Sequence, residues 1–224
     1  MKDSYEIFIK NYINKKDLID FGLKETIYIA EDKAAEKWEE IKSSILNNEQ
    51  VYVRRYGRKE EKDSIIKIFY KEILNLTNIK IDPTNNSAPS KVLNHCTNYR
   101  KTIKKDTLQN EKIQNYQISH VFGRTKNPFL FIAPWNLVYI PKIVDPFTGH
   151  ESKGELALEF SKLLQNKTFK RYESLIKDYN TLVDKYKFDS KIKMFMEENK
   201  NRITNFENYK NNMLSQFSKI TLVN

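Results

Sequence analysis

The sequence predicts an α+β protein, mainly helical, with one strand–loop–strand–turn–helix unit embedded in it. Three observations carry this prediction. Apolar residues recur at helical spacing through most of the chain. The stretch 117–164 instead switches from alternating to helical patterning, and it holds three of the five glycines, four of the six prolines and two of the three histidines. At 224 residues the chain is long enough for a sizeable core. It divides into a mixed region at 1–111, the central unit at 112–165 and a helical segment at 166–224.

Residues 1–29 mix apolar and charged side chains and show no capping signal. Ala34, Trp38, Ile41 and Ile45 then fall on one face of a predicted amphipathic helix. Gln50 to Tyr56 alternates like a strand and ends at Gly57; Ile65, Ile66, Phe69, Ile73 and Leu74 mark a second helix. The turn-rich run Pro83 to Pro89 leads to Ser90, the expected cap of a short helix through Tyr99. A charged linker (KTIKKDTLQNEK) follows. In the central unit, Ile118, His120 and Phe122 alternate with Ser119 and Val121 and stop at Gly123. Phe129 to Ile140 reads as a second strand, broken by Pro134 and containing Asn136. Thr148, with Glu151 three residues on, predicts a capped helix start that puts His150 in the first turn. Beyond it, Leu175, Tyr179, Leu182 and Tyr186 share a face, and Asp189-Ser190 is expected to separate two long helices. These C-terminal helices offer a dimer surface.

Thirty-nine Lys plus Arg against 29 Asp plus Glu give a net charge of +10, which favours a polyanionic partner, nucleic acid or an anionic surface. No uncharged run is long enough to span a bilayer, and the first residues lack a signal peptide's apolar core, so a cytoplasmic protein is expected. The single cysteine, Cys96, excludes an internal disulfide and a Cys-rich zinc knuckle.

His120, Asn136 and His150 carry the chemistry. A histidine at a strand end can take a proton from water. An Asn amide, both donor and acceptor, can brace the connecting loop or the imidazole. A histidine on the following helix can hold a divalent cation that offsets charge growing on a phosphate. The positive end of a helix dipole disfavours a cationic imidazole there, leaving the neutral form that binds metal. Intervals of 16 and 14 residues suit a hairpin followed by a helix and put all three residues on one side of that unit. Each also has a plain structural reading: a hydrogen-bonded core histidine, an Asn satisfying a backbone group beside Pro134, and a surface histidine. Trp135 and Phe131 are assigned to packing, and His95 to structure.

His120 in ISHVFGR, Asn136 in WNLVYIP and His150 in TGHESKGE resemble the HNH, or ββα-metal, nucleases over about a fifth of the chain. The resemblance implies a ββα-metal catalytic unit within a mainly helical protein. It also implies His120 as general base, Asn136 as the structural Asn that orients it, and His150 as metal ligand, with Mg2+ or Mn2+ as the cofactor. The family often carries Asp or His just before the base; here that residue is Ser119, a poor ligand. Asn127, Asp145 and Glu151 are candidates for the missing group. The structural zinc cysteines of the common subtype are absent, and the interval before the last histidine is longer.

Of the basic residues, Arg124 and Lys126 follow the base and are expected against a bound phosphate. Arg54, Arg55 and Arg58 suit either phosphate contact or guanine edges in a major groove. Thr84-Asn85-Asn86 and Asn94-His95 could read adenines, although turn formation explains the first. The expected activity is metal-dependent cleavage of double-stranded DNA by a small restriction or phage-defence enzyme working as a homodimer. The alternatives are a non-catalytic nucleic-acid-binding protein and an RNA-cleaving toxin with the same unit.

Overall fold

A computed structural model describes residues 2–55, 60–103, 110–149 and 152–222, with the backbone alone at 60–64. The architecture is α+β and mainly helical. Two helices open it, α1 (Ser4–Asn11) and α2 (Lys15–Glu25). Both are capped by side chains: Asp3 Oδ1 accepts from the Tyr5 amide at 2.9 Å, and Asn14 Oδ1 from the Lys16 amide at 2.8 Å. Each cap satisfies an amide that the first helical turn leaves without a carbonyl. The region 1–29, which carried no capping signal in the sequence, therefore has two.

In α3 (Glu31–Leu46) the buried residues are Ala34, Trp38, Ile41 and Ile45, the four expected from their spacing. β1 (Val51–Arg54) and β2 (Ile79–Asp82) pair in parallel, joined by α4 (Glu60–Leu74), which buries Ile66, Phe69, Tyr70 and Ile73. Asp82 ends β2 fully buried and accepts from the amides of Thr84 (2.9 Å) and Ala88 (2.6 Å). It thereby fixes the start of α5 (Ser87–Cys96), three residues before the expected Ser90 cap; Pro89 is tolerated because it falls in the first turn. The short β3 (Tyr99–Arg100) and β4 (Glu111–Lys112) pair across the charged linker.

The hairpin β5 (Tyr116–His120) and β6 (Leu137–Pro141) is antiparallel, with Ser119 opposite Val138 and His120 opposite Leu137. All of β6 is buried, and it separates two cores. Leu137 and Tyr139 belong to the larger, with Trp38, Phe69, Trp135 and Ile176; Val138 and Ile140 belong to the smaller, with Leu18, Ile19, Ala157, Phe160 and Leu164. The larger core draws on all three segments of the chain.

The loop between the strands is not continuous strand as expected. It folds into α6 (Pro128–Phe131), capped by Asn127 Oδ1, and a 3-10 turn, Pro134–Asn136. Asn136 therefore precedes the second strand instead of lying within it. A second 3-10 turn, Asp145–Thr148, closes at Gly149 with φ +92°, a left-handed conformation that glycine adopts without strain. Here the capping-box expectation fails. Thr148 Oγ1 donates to the Asp145 carbonyl at 2.7 Å, and α7 (Glu155–Arg171) starts seven residues later, with Gly154 at its cap. The chain ends in α8 (Glu173–Tyr186), α9 (Phe188–Glu198) and α10 (Phe206–Gln216). The α8–α9 break is at Lys187, left-handed at φ 50°, two residues before the expected Asp189. Among the described residues no helix is long and apolar enough to cross a membrane.

Candidate active site

Asn136 organises the β5–β6 loop. It is fully buried, and its side chain makes three hydrogen bonds. Oδ1 accepts from the Phe122 amide (2.8 Å), while Nδ2 donates to the carbonyls of Gly123 (3.1 Å) and Leu130 (2.9 Å). One amide thus ties both ends of the loop together, as a group with donor and acceptor must if neither end has a ladder partner. It braces the loop and not the imidazole.

His120 closes β5 and is 8% exposed. Its Nε2 lies 2.9 Å from the Phe131 carbonyl oxygen, and its ring stacks on the Phe131 ring at 5.9 Å and 11°. A carbonyl only accepts, so Nε2 carries the proton and Nδ1 the lone pair of the neutral ring. The carbonyl that sets this tautomer belongs to the residue after Leu130, which Asn136 holds. Asn136 thus holds the carbonyl one residue before the one that faces the imidazole.

Directly opposed residues of an antiparallel pair face the same side. Ser119 consequently shares the Val138 side, covered by α7, whereas His120 shares the side of Leu137. Ser119 Oγ is buried and has no hydrogen-bond partner among the described residues. It is the orphaned polar atom at the position where the resemblance calls for a second metal ligand. His150 and Glu151 lie outside the described residues, so the grouping of positions 120, 136 and 150 on one side does too. Because α7 starts at Glu155, the helix-dipole argument for a neutral His150 falls away, as that field fades within the first turn.

Asn127, one of the candidate ligands, is engaged in packing the loop against the C-terminal helices. It is fully buried, its Oδ1 accepts from the Phe129 amide, and its Nδ2 donates to Tyr179 Oη (2.9 Å) and the Gln216 carbonyl (3.2 Å). Among the described residues no three His, Cys, Asp or Glu side chains form a metal-binding group. Trp135 and Phe131, assigned to packing, are both fully buried.

The basic residues separate into two classes. Arg124 and Lys126, expected at a phosphate, reach the C-terminal segment instead. Arg124 Nη1 donates to the carbonyls of Ser218 and Lys219, and burial depresses the pKa of its guanidinium despite Tyr179 nearby. Lys126 Nζ donates to Asn212 Oδ1 at 2.6 Å, and its amide to Gln216 Oε1 at 2.9 Å. The loop after His120 is in this way laced to residues some 90 positions along the chain, a signal no local pattern carries. Arg54 lies on the outer face of β1, half-buried, and Arg55 is exposed, its amide donating to Asn85 Oδ1 at 2.7 Å. That bond accounts for Asn85 as a turn residue, at φ 62°. Asn94 Oδ1 accepts from Tyr139 Oη at 2.8 Å, which ties α5 to β6. Arg58 lies outside the described residues.

Residues 29–222 match the model of a family described as "Uncharacterised protein PM1201". A protein of Pasteurella multocida (strain Pm70), described as "Uncharacterized protein PM1201", is 43% identical over 188 residues, 83% of this chain and 81% of that protein. No solved structure matches significantly. On the extent of both matches, the chain belongs to the PM1201 family.

Proposed function

We propose that the protein is a metal-dependent endonuclease that hydrolyses phosphodiester bonds in double-stranded DNA, with His120 as general base. The observation that carries this reading is the held imidazole. His120 ends a strand, and the Phe131 carbonyl accepts from its Nε2–H, so the basic nitrogen of the neutral ring is Nδ1. In the proposed step Nδ1 takes a proton from water, the water oxygen attacks phosphorus, and the bond to the leaving oxygen breaks. Asn136 holds the adjacent Leu130 carbonyl, and in this reading that bond keeps the α6 backbone, and with it the base, from reorganising during the reaction.

A divalent cation, Mg2+ or Mn2+, would be held by His150, with Asp145 the described carboxylate among the candidates for a further contact. Such an ion supplies stabilisation of negative charge on the phosphate. The net charge of +10 supports a nucleic-acid substrate, and Arg54 and Arg55 are the described arginines of the N-terminal region proposed to meet it. A restriction or phage-defence role and a homodimer are part of the same proposal.

Supercoiled plasmid incubated with Mg2+ or Mn2+ tests it. Nicked or linear product that disappears with His120→Ala supports the reading; equal cutting by the variant refutes His120 as base. Discrete bands from a long DNA support sequence recognition, and faster digestion of RNA would transfer the activity to that polymer. A second reading, a nucleic-acid-binding protein without catalysis, is favoured by one observation, the hydroxyl at Ser119. Metal-independent binding with no cleavage would establish it.

A further inference from the structure

Three elements, β1, β2 and α5, bring cationic and aromatic groups together. The β1–β2 register sets Tyr52 beside Lys80 on the outer face, while Val51 and Val53 enter the core. α5 adds Lys91. The ammonium groups of Lys80 and Lys91 lie 5.4 and 5.3 Å from the centroid of the Tyr52 ring. Hydrogen bonding to Lys91 and then to Lys80 holds the Tyr52 phenol below its ordinary pKa. Neither lysine forms an ion pair among the described residues, in contrast to Lys37 and Lys42 on α3, which pair with Glu40, Glu39 and Asp178. Two like charges gathered on one ring without a carboxylate between them repel, and an anion would relieve that repulsion.

Beside the ring opens a pocket of about 500 Å³, within the size range of small-ligand sites and far larger than a lone phosphate requires. Ile41, Val92 and Ile132 line it with apolar surface and Gln50, His95 and Lys91 with polar, the Lys37–Glu40 ion pair is part of its wall, and Lys80 lies outside it at the Tyr52 ring. The side chains of Gln50 and His95 have no hydrogen-bond partner among the described residues. Apolar surface, an exposed amide and imidazole, and two ammonium groups at one ring match three parts of one ligand: the face of a heterocycle, its polar edge, and a phosphate.

We propose that this pocket binds a nucleoside 5′-phosphate unit, with the phosphate between Lys80 and Lys91 at Tyr52 and the base over Ile41, Val92 and Ile132. The unit can be a free mononucleotide or a nucleotide swung out of a duplex, which costs least at a mismatch. The pocket does not depend on the cleavage chemistry. It adjoins it, because Ile132 follows the residue whose carbonyl holds His120.

Calorimetric titration of the full-length protein with a chelator present, so that cleavage does not enter, tests the proposal. The probes are inorganic phosphate, the common 5′-mononucleotides, and two short duplexes, one perfectly paired and one with a single mismatch. At least one mononucleotide is expected to bind ten-fold or more tighter than inorganic phosphate. Lys80→Ala/Lys91→Ala is expected to lose ten-fold or more in affinity with an unchanged melting temperature. Gln50→Trp, which fills the base end from an exposed position, should reduce the mononucleotide to the affinity of phosphate alone. Equal binding of phosphate and all mononucleotides, or full affinity in the double-lysine variant, overturns the proposal. Displacement of the mononucleotide by the mismatched duplex in preference to the paired one identifies DNA as the source; failure to displace it identifies the free nucleotide.

Discussion

Replacing Asn136 by alanine removes three hydrogen bonds at once and leaves the Phe122 amide and the Gly123 and Leu130 carbonyls without their partner. The Leu130 bond is buried, so its carbonyl loses close to the full desolvation cost of about 1–3 kcal/mol, while the two part-buried groups regain some water and lie near the low end. The loss comes to about 3–5 kcal/mol. For a chain of this length that lowers the melting temperature by about 6–20 °C. Asn136→Asp separates hydrogen bonding from volume. It keeps an acceptor for the Phe122 amide but turns a carboxylate oxygen toward two carbonyls, so it should destabilise at least as much as alanine. Differential scanning calorimetry of both variants reads the effect, and amide exchange over residues 122–131 reads its location. An alanine variant melting within about 2 °C of the parent, well under the shift worked above, or a well-tolerated Asp, would refute the claim that this amide holds the loop.

Three further outcomes follow from the same packing. Gly22→Ala would bring a Cβ to 2.6 Å from Phe160 Cε2 and 3.0 Å from Val144 Cγ1, so overpacking of about 1–3 kcal/mol should outweigh the gain of about 1 kcal/mol in helix propensity; urea denaturation gives the sign. Burial pushes the phenols of Tyr139 and Tyr172 up to about 12, and those of Tyr70 and Tyr179 higher still, from 10.0. The folded state then retains protons that the unfolded chain releases. The stabilisation is complete below pH 10 and is lost as pH rises from 10 through 12; absorbance at 295 nm should show these tyrosines ionising only with the unfolding transition. Deleting residues 217–224 removes the buried Phe217 and Ile220, each contributing about 1.5–3 kcal/mol, together with the carbonyls that Arg124 engages. Faster proteolysis of the Arg124–Asn127 turn is expected, and unchanged proteolysis would show that the C-terminal segment does not brace it.

The helices that bury one face were legible because burial every three or four residues prints directly on the sequence, as at Ala34, Trp38, Ile41 and Ile45. The first strand of the hairpin was legible by alternation; the second, buried throughout, was read as an apolar run from Phe129 to Ile140 of which only the last part is strand. The loop between the two was not legible. Phe129, Leu130, Phe131 and Ile132 are all buried, and a short continuous apolar run does not distinguish strand from helix. The α5 start was hidden because its determinant, Asp82, acts from the end of a preceding strand. At the site, His120 and Asn136 could be picked out as residue types. The Phe131 carbonyl that fixes the imidazole is a backbone atom that any residue supplies, so nothing in the sequence marks it. Arg124 and Lys126 were assigned to phosphate because sequence neighbourhood says nothing about Ser218, Lys219 or Asn212 folding back onto them. The Tyr52–Lys80–Lys91 cluster escaped for the same reason, being assembled from three elements.

β6 has apolar neighbours on both flanks, from cores supplied by different parts of the chain. Solvent cannot reach its amides by peeling away one flank alone. Deuterium uptake there should therefore wait for complete unfolding, and its slowest amide becomes an internal gauge of the free energy of the whole molecule. A site hung from such a strand keeps its geometry until the protein itself comes apart.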